Sequence, residues 1–175
     1  MKLDEQNLQK DPLQKDIKLI LDLFNSGKLL EAKKEIDKQI TKFPNSSILL
    51  NILGGILTSQ NKFDEAIEKY EKAIKLNSKY AQAYNNLGVA LQKTNKIEEA
   101  INKYNRAISL KEDFVEALNN LGNLYQDTGD KKQALENFKK IIKIKPDYAE
   151  IYNLIGTIFS DLSNSNEALQ YYNKS

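Results

Sequence analysis

The chain has 175 residues, 41% of them hydrophobic and 29% charged, the composition of a folded chain and not of a disordered one. A formal charge of +2, with Arg106 the single arginine among 26 basic residues, gives no field that would gather nucleic acid and few bidentate phosphate contacts. Cysteine and histidine are both absent, which excludes disulfides, thiolate nucleophiles and the usual zinc sites and argues against an enzyme; no cofactor is expected.

Met1 to Asp11 is polar and charged, without the apolar stretch of a secretory signal, and no run of eighteen apolar residues follows anywhere. A cytoplasmic chain without membrane insertion is the expectation. Asp11-Pro12 reads as a helix start, aspartate capping and proline in the first turn, so residues 1–11 are taken as a polar tail.

From there a period of 34 residues governs the chain. Glycines recur at Gly54, Gly88, Gly122 and Gly156, and alanines at Ala32, Ala66, Ala100, Ala134 and Ala168. Tyr70, Tyr104, Phe138 and Tyr172 stand four residues beyond an alanine, with Ile36 in the first unit. The units are 13–46, 47–80, 81–114, 115–148 and 149–175, the last cut short, within a repeat domain over 12–175.

Each unit reads as two amphipathic helices. In the third, Tyr84, Leu87, Val89 and Leu91 precede a break at Thr94-Asn95-Lys96, and Ile97, Ala100, Ile101, Tyr104, Ala107 and Ile108 follow it. Gly27, Asn61 and Gly129 hold the place of Asn95, which predicts a left-handed turn in every unit, with Ser163 departing from the pattern. Glycine inside a helix costs about 1 kcal/mol relative to alanine, so the glycine ladder predicts close approach of the partner helix. The aromatic at position twenty-four is expected to pack toward a neighbouring unit. Pro44 and Pro146 end second helices, with Ser78 and Glu112 in their place elsewhere.

Tyr84-Asn85-Asn86-Leu87-Gly88 and Glu65-Ala66-Ile67-Glu68-Lys69-Tyr70-Glu71-Lys72-Ala73-Ile74 resemble the commonest wording of the tetratricopeptide repeat family, and the likeness runs from about Leu13 to Ser175. Unit one departs from it at Ile20 and Gln39, which replace the glycine and the alanine. The resemblance implies an all-α fold, a right-handed α-α superhelix of helical hairpins whose first helices line a concave groove for polypeptide segments.

In that family, first-helix positions two, five, six, nine, twelve and thirteen face the groove. Here position five gives Asn51, Asn85, Asn119 and Asn153, and position six Asn86 and Asn120. Position nine gives Asn123 and Thr157, and position twelve Thr58, Gln92, Gln126 and Ser160. An asparagine offers both a donor and an acceptor, so such a row can hold an extended backbone without reading its side chains closely. The same ladder resembles the one in the repeat arm of O-linked N-acetylglucosamine transferase.

A second reading stays open beside it. Asn86 and Asn120 can stitch neighbouring repeats together, and the chain is rich in asparagine throughout. Under the ligand reading, Asn85, Asn119 and Asn153 face solvent, so that changing all three to alanine spares folding and weakens peptide capture. Glu116, Glu150, Asp127 and Asp161 stand where a lysine and arginine clamp for acidic chaperone tails would be, so the expected ligand is neutral or basic.

The functional expectation is a non-catalytic scaffold for protein–protein interaction that binds an extended polypeptide segment. One alternative is the recognition arm of a larger enzyme such as a glycosyltransferase or sulfotransferase. Another is a self-assembling structural scaffold. Leu169 and Tyr172 lie on a final helix with no polar capping helix after it, which raises self-association through that end or a longer parent protein.

Overall fold

The computed structural model describes residues 14–175, so the expected tail and the Asp11-Pro12 helix start lie outside the described residues. Ten helices are present among the described residues, and no strand. They are α1 (Gln14–Asn25), α2 (Leu29–Lys42), α3 (Ser47–Ser59), α4 (Phe63–Leu76), α5 (Ala81–Lys93), α6 (Ile97–Leu110), α7 (Val115–Asp127), α8 (Lys131–Ile144), α9 (Ala149–Asp161) and α10 (Ser165–Tyr172). They group into two compact units, one ending at Lys103 and one spanning Tyr104–Ser175.

The hairpin turns have one geometry. Gly27, Asn61, Asn95, Gly129 and Ser163 all have positive φ, between 59° at Asn61 and 85° at Gly129. Each lets the next amide reach back to a carbonyl five residues earlier: Lys62 to Leu57 and Lys96 to Leu91 at 2.9 Å, Asp130 to Tyr125 at 2.8 Å. Ser163 departs from the residue pattern but not from the geometry, with φ 61° and a 2.9 Å bond from the Asn164 amide to the Phe159 carbonyl. A serine held there is strained by its Cβ. Ser163→Gly is therefore expected to raise stability by about 1 kcal/mol in urea unfolding, and an unchanged or lower midpoint would count against this account of the turn.

The glycine ladder has a specific cause. A methyl group placed on Gly54 would stand 2.5 Å from Cε1 of Tyr70, and on Gly122 2.6 Å from Cε1 of Phe138. Gly156 and Tyr172 repeat the arrangement at 2.6 Å. The aromatic at position twenty-four thus lies across the glycine of its own hairpin, and Phe138 also shares one core cluster with Ile151, Ile155 and Ile158 of the next repeat, in keeping with the expected packing toward a neighbour. The glycine removes the one atom that would keep a flat ring from lying against the first helix. Thr58 donates to the Gly54 carbonyl at 2.9 Å, which leaves its oxygen to accept from the Tyr70 hydroxyl at 3.1 Å. Burial pushes the Tyr70 phenol up to about 12, against the opposing pull of that hydrogen bond.

In the first unit, α3 lies against α2, α4 and α5, and its core residues include Leu49, Ile52, Ile56 and Leu57. Gln39 replaces the alanine seen at Ala73 and is buried, its amide nitrogen donating to Glu35 at 2.9 Å. That bond, and then Lys38, holds the Glu35 carboxyl below its usual range in spite of its partial desolvation. In the second unit, α8 packs between α7 and α9 around Leu118, Phe138, Ile141, Ile151, Ile155 and Ile158. The ion pairs within second helices, such as Lys33–Asp37 at 2.8 Å and Lys38–Glu35 at 3.3 Å, are exposed contacts worth a few tenths of a kcal/mol each.

Candidate protein-interaction site

The asparagines expected to share one solvent-facing row fall into two groups. Asn51 and Asn85 are buried, each with 0% of its surface exposed. Asn86, Asn119, Asn120 and Asn123 are half-buried, and Asn153 is exposed. The expectation that position five faces solvent is therefore corrected at Asn51 and Asn85, and holds at Asn153.

The physical reason is visible in the first unit. Asn51 on α3 is covered by α5, and its carbonyl oxygen accepts from the Asn86 amide at 2.9 Å. Its own amide donates to the Tyr80 hydroxyl at 3.2 Å, and Asn86 in turn accepts from Gln82 at 3.1 Å. A buried amide is stable only when paired, and the chain meets that need across the repeat boundary. The repeat-stitching reading of Asn86 is thus observed, although its partial exposure leaves it at the margin of the polar face. Tyr80 and Gln82 were not singled out from the sequence; the steps of 29 and 35 residues that link Asn51 to Tyr80 and Asn86 were the available signal.

The same logic explains an irregularity in the second unit. Asn119 corresponds to Asn51, and the residue 35 places on is Leu154, not asparagine. No donor stands there, and the Asn119 carbonyl oxygen is buried without a hydrogen-bond partner. Its stitch is missing.

What α7 and α9 turn outward is polar. Asn153, Thr157 and Ser160 on α9 are exposed, together with Glu150, and α7 adds Glu116 and Asp127, with Asn123 and Gln126 half-buried. Thr157 donates to the Asn153 carbonyl at 3.0 Å and accepts from Tyr172 at 3.4 Å. Asp161, grouped with these acids from the sequence, pairs instead with Lys131 on α8 at 3.2 Å. In the first unit Thr58 and Gln92 are half-buried, and Thr58 is engaged with Gly54 and Tyr70 as described.

Among the described residues no cluster of three or more histidine, cysteine, aspartate or glutamate side chains is arranged to hold a metal ion. Among them, too, no helix is long and apolar enough to cross a membrane.

Comparison with known proteins agrees with this architecture. Family models described as TPR repeat match residues 54–95 and 93–129, and models described as tetratricopeptide repeat match 115–148 and 149–175. Together they run without a gap from 54 to 175. A sequence comparison with curated proteins gives no significant match.

Among solved structures the chain is similar to MamA, with 28% identity over 94% of this chain and 92% of that one, at a TM-score of 0.79. It is similar to pilF of Pseudomonas aeruginosa, with 24% identity over 91% of this chain and 72% of that one, at a TM-score of 0.84. It also resembles YrrB, described as a TPR protein with an unusual peptide-binding site, with 21% identity over 97% of this chain and 87% of that one, at a TM-score of 0.70. The period, the shared turn geometry, the rings seated on glycines and the continuous family match have one explanation: the chain belongs to the tetratricopeptide repeat family, whose helical hairpins serve as scaffolds for protein interaction.

Proposed function

We propose that the chain binds an extended, neutral or basic polypeptide segment, and that the contact surface is the polar face of α7 and α9 in the second unit. The observation that carries this reading is the exposure of Asn153, Thr157 and Ser160 on one helix beside Glu150. Amides and hydroxyls there can exchange hydrogen bonds with a peptide backbone, and Glu116, Asp127 and Glu150 favour a positive ligand over a negative one. Asn120, Asn123 and Gln126 border that face, and Asn86 and Gln92 are the corresponding half-buried amides of the first unit. Asn51 and Asn85, buried in the first unit, are left out of the contact surface.

The reading is tested by selecting displayed random peptides on the full chain and titrating the selected peptides by fluorescence anisotropy. Neutral and basic sequences are expected. Asn153→Ala with Thr157→Ala should weaken them about tenfold while leaving the unfolding curve in place. Binding indifferent to both substitutions would discard the proposal.

A second reading has its own observation. Leu169 is 59% exposed and Tyr172 37%, whereas Ile67 and Tyr70, their equivalents three repeats earlier, are 8% and 2%. An apolar face of this kind suits self-association through α10. Light scattering over a concentration series separates it from a strict monomer.

A further inference from the structure

We infer that the second unit carries another docking site, a depression between the first three turns of α8 and the turn after α9, which takes an acidic segment of a partner protein anchored by one apolar side chain. The depression encloses about 380 Å³ and is lined by Lys131, Lys132, Leu135, Glu136, Lys139 and Leu162. None of its lining residues belongs to the polar face proposed on α7 and α9, so the two sites can be tested by separate substitutions.

The repeats act as their own control. At the place of Lys131, the preceding hairpins carry Leu29, Phe63 and Ile97, apolar residues that would cover the start of the second helix. At the place of Leu162 they carry Ser26, Gln60, Thr94 and Thr128, all polar. The fourth and fifth repeats reverse both choices. The cover becomes a lysine, held aside by its ion pair with Asp161 at 3.2 Å, and the polar turn residue becomes a leucine with 47% of its surface exposed. An exposed leucine then joins Leu135 in the lining, from a turn position at which the earlier repeats carry a polar residue.

The charge of the rim changes as well. On α4 the positions equivalent to Lys132, Glu136 and Lys139 hold Asp64, Glu68 and Glu71, three acids. On α6 they hold Glu98, Asn102 and Asn105. On α8 two of the three are lysines and Lys131 adds a third, while Lys139 keeps its ammonium 5.5 Å from the Phe159 ring centroid. With Lys131 paired to Asp161, the lining carries three lysines against the single carboxylate of Glu136, and this excess beside Leu135 and Leu162 favours an anionic segment with an apolar anchor over a basic one. The ligand preference is thus opposite to that of the polar face.

Fluorescence anisotropy with the full chain tests this, using a fluorescein-labelled peptide that places one leucine among glutamates and aspartates. Saturable binding that weakens as salt rises is expected, with loss of about tenfold in Lys132→Glu/Lys139→Glu. Leu162→Thr restores the residue found at Thr94 and Thr128, so the turn should fold, and affinity should fall about fivefold. Replacing the peptide's leucine by serine should cost as much. Absence of saturable binding, equal binding of a lysine-based peptide, or insensitivity to these variants would overturn the inference. So would loss of binding in Asn153→Ala/Thr157→Ala, which would move the contact to the other face. A dimer seen by light scattering and dissolved by Lys132→Glu/Lys139→Glu would overturn it too, by making the occupant a second copy.

Discussion

Gly122→Ala is expected to destabilise the chain by about 2 kcal/mol, even though alanine is the better helix former. Two effects of opposite sign compete. Helix propensity favours alanine by about 1 kcal/mol. Against it, the new methyl would stand 2.6 Å from Cε1 and 2.9 Å from Cδ1 of Phe138, a ring with none of its surface exposed. A ring enclosed by Leu118, Ala134 and Ile141 cannot swing aside, and overpacking of a filled core costs about 1–3 kcal/mol before the propensity gain is subtracted, with a full ring overlap at the upper end. Urea unfolding followed by circular dichroism measures the balance. In Gly122→Ala/Phe138→Leu, where the ring is gone, the alanine substitution should cost much less than it does alone. Equal costs in both backgrounds would show that the ring is not what the glycine accommodates.

Asn51→Ala is expected to cost about 2–3 kcal/mol, whereas Asn153→Ala should stay within about 0.5 kcal/mol. Both residues occupy position five of their repeats. Asn51 is buried and exchanges hydrogen bonds with Asn86 at 2.9 Å and Tyr80 at 3.2 Å, so its removal strands a donor and a hydroxyl at the boundary between α3 and α5. Asn153 is exposed, and the hydrogen bond it takes part in is made by its backbone carbonyl, which accepts from Thr157. A triple change of Asn85, Asn119 and Asn153 therefore mixes unlike residues: the loss of Asn85 should weaken folding, and Asn153 alone is suited to reporting on ligand contact. Similar costs at Asn51 and Asn153, read from the same unfolding experiment, would contradict this division.

These two expectations also mark what the sequence discloses and what it hides. Helix starts at Ser47, Ala81, Val115 and Ala149, and the left-handed residue in each hairpin turn, follow directly from a period whose small and apolar residues return every 34 places. Ser163 shows why the geometry outlasts the residue preference: the bond from Asn164 to Phe159 and the packing of α9 on α10 impose the turn on a side chain that disfavours it. The glycines could be recognised as answers to a steric demand. That the ring making the demand is the aromatic of the same hairpin could not, because a position number on a helix does not say which neighbour lies over it.

The polar face was legible in part for the same reason. Position five lies at the edge of the outward face, and there the outcome depends on the next repeat. Where Asn86 follows, the asparagine turns inward and is paired; where Leu154 follows, Asn119 keeps a carbonyl without a partner. A reading attentive to what recurs finds the ladder. The departures, Leu154, Lys131 and Leu162, are equally plain in the sequence, but their meaning rests on which residues of adjacent hairpins meet.

The division of the asparagine row is tested most directly by side-chain amide hydrogen exchange, followed by NMR on the intact chain. The account predicts strong protection of the Asn51 amide protons and rapid exchange at Asn153. Exchange at Asn51 as fast as at Asn153 would mean that the inter-repeat bonds do not exist in solution, and the distinction between the stitched and the outward-facing asparagines would fall.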